Sequence, residues 1–346
     1  MSRFSRLRRK PVDRIDVLTN PNAGKGKNRT IAPETLAKLV EVFFTPDTQV
    51  DVRHRETKDL GHLDRVIDEM VLKPPAMIIV IGGDGTKQKT FDRVIKRFEA
   101  ARKRIPLIMA VHAGTVGAVQ EALELLGSDP EKARDKIFEK IRRGRELDII
   151  HRDVLRISGE NAFLAHGFIV GFGLPVRFLE RYYAYDPPRG FWCAVRTALA
   201  VCWNEFLRFL PPWRRRSIAD PFEVEYELWA DDACVAHLDG RFAGIIMASI
   251  EQIGLGCRLT YRAQEWPDHF HAVLSPMGIG RTLLNVPNMF RGRPLHGGAT
   301  SEIVTKVVLR FKDPTPLMID GEMYSAADVG RVITIERGPT LDFIRS

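Results

Sequence analysis

Cysteine is scarce in this chain. The four present, Cys193, Cys202, Cys234 and Cys257, show neither CxxC spacing nor the density of a disulfide scaffold. That argues against a disulfide-stapled secreted domain and points to a reducing, cytoplasmic setting. Cys193 and Cys202 could approach one another on a helix, but small buried hydrophobes are a plainer reading than a metal site. Long apolar runs are also missing: none reaches the roughly 18–20 residues of a membrane-spanning helix. Two nucleotide motifs are absent as well, because no GxxxxGK is followed by Ser or Thr and no GxGxxG occurs. Acidic charge is in deficit, with 44 Asp+Glu against 52 Lys+Arg and a formal charge of +8. Such a balance favours anionic partners. Nucleic acid has only this net charge behind it, since no RNA-binding aromatic motif or basic recognition helix is found, and none is expected as a partner.

What is present is the composition of a soluble globular protein, 45% hydrophobic and 28% charged, on a chain of 346 residues that suggests two domains. The start, "MSRFSRLRRK", has five basic residues in ten and no apolar stretch after it, so a secretory signal is not expected. A solvated basic tail, a membrane-surface contact and an organelle-targeting start all fit it.

From residue 15 short apolar strands alternate with amphipathic helices. "IDVLTN" precedes a helix with Leu36, Leu39, Val40 and Phe43, and "VDVRH" precedes one with Leu63, Val66, Ile67 and Met70. "MIIVIGG" leads into Phe91, Val94, Ile95 and Phe98, and "PLIMAVHAG" into a further helical stretch. The series is βαβ, hence an α/β domain with a parallel sheet and helices on both faces. After about residue 146 the rhythm changes. "FEVEYELW" alternates apolar with acidic residues, "DD" offers a turn, and "GIIMASI", "CRLTYRA", "EIVTKVVLRF", "LMIDGEMY" and "VITIER" are strand candidates. A mainly antiparallel β domain is expected there.

One segment interrupts it, "FWCAVRTALAVCWNEFLRFLPPWRRR" at 191–216. On a helix, Arg196, Thr197, Asn204, Glu205 and Arg208 fall on one half, and Phe191, Trp192, Val195, Leu199, Cys202, Trp203, Phe206, Phe209 and Leu210 on the other, with Pro211 and Pro212 ending it. Packing on the protein's own core is one reading. An interfacial membrane helix is the other, since tryptophans and a terminal Arg cluster suit the headgroup level.

The most informative turn is "GGDGT". Gly82, Gly83 and Gly85 stand where a parallel strand meets a helix, and there unpaired N–H groups and the helix dipole favour an anion. Without Cβ atoms the backbone can come within reach of a phosphate. Asp84 places a carboxylate beside that site, suitable once Mg²⁺ or a reacting hydroxyl lies between, and Thr86 can cap the helix or donate to phosphate. A tight connection with no ligand is the alternative. Two more turns, "NPNAGKGK" at 20–27 and "HAGTVGA" at 112–118, occupy equivalent places. Near the end, Asp320, Gly321 and Glu322 form a hairpin signal whose carboxylates could equally be general base and metal contact. Local sequence leaves that choice open.

In this order, "NPNAG", "GGDGT", a later "GT" and a near-terminal "DGE" resemble the diacylglycerol kinase catalytic-domain family, which includes bacterial lipid kinases and the sphingosine and ceramide kinases. The resemblance implies a nucleotide-binding α/β domain over 12–146, to which residues 336–346 return. It also implies a β-sandwich lipid domain over 147–335 with a helical insertion near 188–216, and an active site in the cleft between the two. It assigns ATP contacts to Asn20, Gly24, Thr57, Gly82, Gly83, Asp84, Gly85, Thr86, Gly114 and Thr115. Asp320 is implied as the general base, with Asp84 also catalytic, and Glu322 as a contact to Mg²⁺ or nucleotide. Departures are visible. Lys87, Gln88 and Lys89 stand where the family commonly has a hydrophobic residue, Asn and Glu. Val116, Gly117 and Ala118 replace the usual remainder of GTGND, and either Gly171 or Gly173 stands where an Asp is common.

The expectation is an ATP- and Mg²⁺-dependent lipid kinase acting on a diacylglycerol-like hydroxyl, peripherally bound to a membrane through 191–216 and the basic N-terminus, with room for a homodimer. A ceramide or sphingoid-base kinase and a non-catalytic nucleotide- or lipid-binding homologue are the alternatives. A NAD kinase shares GGDGT but gives no reason for a Trp-rich amphipathic helix.

Overall fold

The computed structural model describes residues 4–6, 13–20, 51–112, 139–140, 143, 148–184, 196–197, 200, 203, 219–254 and 256–344. The chain divides into two compact units, one of Met1–Arg152 with Pro339–Ser346 and one of Asp153–Gly338.

In the first unit the order is β1 (Phe4–Arg6), β2 (Arg14–Thr19), β3 (Asp51–Glu56), α1 (Leu60–Leu72), β4 (Met77–Gly82), α2 (Asp84–Ala100) and β5 (Leu107–His112). β4 is buried at every position and reads as an unbroken apolar run because both faces of a parallel strand are covered. The helix-spaced quartet Leu63, Val66, Ile67 and Met70 is the buried set of α1, whose start is capped by Asp59 Oδ1 accepting from the His62 N–H at 2.7 Å. α1 and α2 are tied by Arg93 to Asp64 at 3.0 Å and Arg97 to Asp68 at 3.1 Å. The strands pair in parallel in the order β3-β2-β4-β5. Strand order therefore reverses between β2 and β4, and in an open α/β sheet such a switch point is where ligands bind. The expected helices around Leu36–Phe43 and after residue 114 lie outside the described residues.

The second unit continues through β6 (Asp148–Gly159, shared between the units), β7 (Leu164–Gly167), β8 (Ile169–Gly173) and α3 (Leu174–Tyr183). β9 (Phe222–Ala230), β10 (Ala233–Phe242), β11 (Gly244–Ala248), β12 (Phe270–Ser275), α4 (Ile279–Leu284) and α5 (Val286–Arg291) follow. β13 (Thr300–Val304), β14 (Lys306–Phe311), β15 (Leu317–Ile319), β16 (Glu322–Tyr324), α6 (Ala326–Val329) and β17 (Val332–Ile344) complete the chain. Beyond Gly338, β17 belongs to the first unit, where Phe343 pairs in parallel with Ile108 of β5. One sheet of the second unit runs β10-β9-β14-β17 and the other β13-β12-β11-β8-β15-β16, with adjacent strands of the second all antiparallel. Their inner faces share a core that includes Phe172, Tyr226, Phe242, Phe270, Phe311 and Ile333. This is the α/β plus antiparallel β architecture expected from the patterns.

Two strand assignments need correction. "CRLTYRA" is a run of turns, because Gly254 and Gly256 take positive φ ahead of it and the Cys257 N–H closes back on the Gly254 carbonyl. "EIVTKVVLRF" is two strands in different sheets. Thr305 donates its N–H to the Trp229 carbonyl, β13 pairs with β12, and β14 pairs with β9 and β17. No helix among the described residues is long and apolar enough to cross a membrane.

Candidate active site

The residues singled out in the first unit gather at the carboxyl ends of β2, β3 and β4. The Asn20 amide donates to Thr86 Oγ1 at 3.4 Å, which joins the loop after β2 to the start of α2. Thr57, buried just past β3, donates both its N–H (2.7 Å) and its hydroxyl (2.9 Å) to the Thr19 carbonyl. Thr19 Oγ1 is in turn 2.8 Å from His54 Nε2, whose pKa burial holds below the usual histidine value. These contacts fix the rim of the switch point.

The glycines of the loop differ in what they permit. A Cβ on Gly82 would sit 2.7 and 2.8 Å from Thr86 Cγ2 and Cβ, so the first turn of α2 closes directly over the end of β4. A Cβ on Gly83 would meet nothing within 4 Å. Gly83 is the N-cap of a 17-residue helix, and no side chain caps it. Among the described residues no side chain caps the first amides of α2, and the helix dipole there favours an anion. Asp84 and Gly85 are the first helical residues. Lys87 and Gln88, one turn in, are both buried, so the departure from the family pattern at these positions lies inside the fold. Gly24, Gly114 and Thr115 lie outside the described residues.

In the second unit Asp320 and Gly321 form a two-residue hairpin between β15 and β16, with Ile319 paired to Glu322. Both central residues have positive φ, +49° and +88°, as a type I′ turn requires. Hairpin tips are usually solvated, yet Asp320 is only 6% exposed. Its carboxylate turns inward. Oδ1 accepts the Phe168 N–H at 2.9 Å and the Ile169 N–H at 2.8 Å, and Oδ2 lies 3.1 Å from the same Phe168 nitrogen. The Asp320 N–H completes the clasp by donating to the Ile169 carbonyl at 3.0 Å. Gly167 makes room for it, because a Cβ there would lie 2.8 Å from Asp320 Oδ2 and 2.2 Å from Ile319 Cγ2. The Tyr183 hydroxyl, from the end of α3, donates to the Gly321 carbonyl at 3.2 Å. Phe168, Ile169, Gly167 and Tyr183 escape sequence reading: backbone amides carry no residue signature, and a tyrosine 138 positions away gives no hint of this contact.

Neither glycine that stands in for the family's Asp could be one here. A Cβ on Gly171 would lie 2.8 Å from Met318 Cε and 3.0 Å from Pro175 Cβ. At Gly173, φ is +69° and a Cβ would lie 2.3 Å from the Phe222 ring and 2.6 Å from the Ala243 carbonyl. Close packing replaces a carboxylate at both. Among the described residues the one trio of potential metal ligands is Glu225, Glu227 and His237 on β9 and β10. Arg310 already occupies it, 2.5 Å from Glu227 and 3.3 Å from Glu225, and this ion pair together with the Trp229 N–H holds the Glu227 carboxyl below its usual range. That cluster is an ion-pair network.

The first unit is an α/β domain with a parallel sheet, joined in the chain to an antiparallel β unit. Residues 14–150 match the family described as the diacylglycerol kinase catalytic domain. That segment, less than half of the chain, is similar to the family's catalytic domain. Three solved structures from Bacillus anthracis str. Sterne share the whole fold, each covering 98% of this chain. One, described as a diacylglycerol kinase, has 14% identity and a TM-score of 0.57 over 98% of its own length. Two described provisionally as diacylglycerol kinases have 13% identity with a TM-score of 0.58 and 15% with 0.62, over 98% and 99% of their lengths. No curated protein matches the sequence.

Proposed function

We propose that the protein transfers the γ-phosphate of ATP to the hydroxyl of a diacylglycerol-like lipid, with Mg²⁺ as the accompanying metal. The observation that carries this reading is the inward, amide-clasped carboxylate of Asp320, because a residue serving only the hairpin would leave its side chain in water. The two Phe168 and Ile169 amides hold the carboxylate's direction, as a general base needs. It would accept the lipid hydroxyl's proton as the new oxygen–phosphorus bond forms and the bond from phosphorus to the β-phosphate oxygen breaks, leaving ADP and a phosphorylated lipid.

The first unit offers its own place for phosphate. The open space above Gly83 and the uncapped amides of α2 would hold the nucleotide's phosphates, and Thr86, tied to Asn20, would fix the loop's shape. Glu322, half-buried on β16, would offer one carboxylate oxygen, which suits an ion that commonly takes one or two carboxylates and fills its shell with phosphate and water. When bound, Mg²⁺ would neutralise charge building on the phosphate oxygens.

A membrane-borne substrate agrees with the exposure pattern near 191–216. Of that segment Arg196, Thr197, Ala200 and Trp203 are helical and described. Thr197, on the polar half by sequence, is buried, while Trp203, on the apolar half, is 62% exposed. An exposed tryptophan suits the headgroup level. A second reading, nucleotide or lipid binding without transfer, is favoured by the buried Lys87 and Gln88 in the first turns of α2. Labelled ATP, Mg²⁺ and mixed micelles holding a panel of neutral and sphingoid lipids separate the two, with Asp320→Asn as control. A labelled phospholipid that vanishes in the control supports the kinase and names its substrate class. ATP binding with no labelled product from any lipid assigns the binding role instead.

A further inference from the structure

The second unit presents exposed apolar side chains at Leu283, Leu284 and Phe290, none of which has a role in the proposed transfer. Between Asp268 and Glu302 the chain has no acidic residue, yet it carries Arg281, Arg291 and Arg293. α4 and α5 are separated only by Asn285, whose backbone stays right-handed at φ −88° and ψ −6°, so residues 279–291 follow nearly one helical path. At roughly 100° per residue, Leu283, Leu284, Pro287, Phe290 and Arg291 share one side of it. That side is open: Leu284 is 80% exposed and Phe290 47%.

The opposite side is pinned by polar contacts. Asn285 is buried, donates to the Arg281 and His296 carbonyls at 2.9 Å each, and accepts the His296 N–H at 2.8 Å. The Met289 carbonyl accepts the Arg258 N–H at 2.8 Å. An amide faces inward and two leucines and a phenylalanine face out, the reverse of a helix that packs on its own core. The arginines differ from their neighbours too. Arg258 is paired with Glu251 at 2.6 Å and Arg262 with Glu265 at 2.7 Å, whereas exposed Arg281, Arg291 and Arg293 have no carboxylate partner among the described residues.

We propose that residues 279–293 dock on an anionic phospholipid bilayer, with Leu283, Leu284 and Phe290 entering the acyl boundary and the three arginines meeting headgroup phosphates. Apolar side chains rimmed by unpaired guanidinium groups, with no acid near in sequence, complement a surface that is apolar beneath and uniformly negative at its face. This contact is additional to the 191–216 segment and the basic N-terminus. It stands apart from the phosphoryl-transfer reading, because vesicle binding is measured without turnover.

The test is co-sedimentation of the full chain with phosphatidylcholine vesicles, with and without phosphatidylglycerol. Binding is expected to require phosphatidylglycerol and to weaken as salt rises. Leu284→Glu with Phe290→Glu should weaken it at least tenfold, and reversing all three arginines to glutamate by about fivefold per site. Thermal melting should match the parent chain for both, since the altered side chains are exposed. Equal binding to neutral and anionic vesicles, or parental binding by the Leu284/Phe290 variant, overturns the proposal and assigns the contact elsewhere on the chain. A parent that sediments as a dimer while Phe290→Glu is a monomer with unchanged vesicle binding also overturns it, making this face a protein interface.

Discussion

Asp84-Gly85 and Asp320-Gly321 are the same dipeptide, each following a buried apolar strand, yet one opens a helix and the other turns a hairpin. At the first, the chain stays right-handed and leaves amides pointing at open space over Gly83. At the second, both residues cross to positive φ and a carboxylate is drawn onto two amides from β8 and the residue before it. One turn offers donors and the other an acceptor. On the proposed reading, moving a phosphoryl group onto a hydroxyl uses both, so an identical local signal would serve two complementary tasks.

The largest expected effect tests the acceptor. Asp320→Asn keeps an oxygen for the amides and a residue type that tolerates positive φ, but it removes the base. Lipid phosphorylation should fall about 10²- to 10⁴-fold with little change in melting temperature. Parental turnover in this variant would reduce Asp320 to a turn residue and end the comparison.

Acid should act on the acceptor's unit most strongly. His271 on β12 is fully buried, and burial pushes its pKa down to about 4. Its Nδ1 accepts the Arg262 N–H at 3.4 Å, so Nε2 carries the proton and donates to Ser301 Oγ at 2.8 Å. The unfolded chain takes up a proton near pH 6.5, and the folded one does so only near pH 4. Stability is therefore full above about 6.5 and declines by on the order of 3 kcal/mol as pH falls to about 4. Denaturant midpoints measured across that window should slope for the parent and flatten for His271→Gln. An equal slope in both would place the acid response elsewhere.

Next come the two donor-side glycines, which should separate stability from binding. Gly82→Ala forces a Cβ against Thr86 and should cost about 1–3 kcal/mol in chemical denaturation. Gly83→Ala meets no neighbour, so it should melt as the parent does while its ATP KM rises several-fold. If Gly83→Ala binds ATP normally, the open space there is not where phosphate sits. The smallest effect belongs to the hairpin tip. Gly321→Ala places a Cβ at φ +88° with its nearest neighbour, Tyr183 Oη, at an ordinary 3.6 Å, so only backbone strain of about 1–2 kcal/mol should appear.

Legibility in the sequence tracked how locally each feature is encoded. Leu63, Val66, Ile67 and Met70 marked the buried side of α1 because helical spacing and burial coincide there. β4 was readable because a strand covered on both faces has no polar position to confuse it. "CRLTYRA" misled because its residue types suit a strand, while the conformation is decided by positive-φ glycines at 254 and 256 ahead of it. The step from one sheet to the other at Thr305 was hidden because apolar residues flank it, Ile303 and Val304 before and Val307 and Val308 after, and a single residue separates the strands. Leu284 and Phe290 could not be told from core residues until the inward Asn285 showed which side of the path faces water.

By itself the sequence determined the α/β-then-β order, the glycine loop where a strand meets a helix, and the position of the hairpin at Asp320, because each rests on periodicity or on backbone conformations that glycine supplies. Only the tertiary structure decided that the Asp320 carboxylate faces inward. The amides that hold it belong to Phe168 and Ile169, more than 150 positions away in the chain, and such groups are brought to a side chain by sheet register and never by residue type.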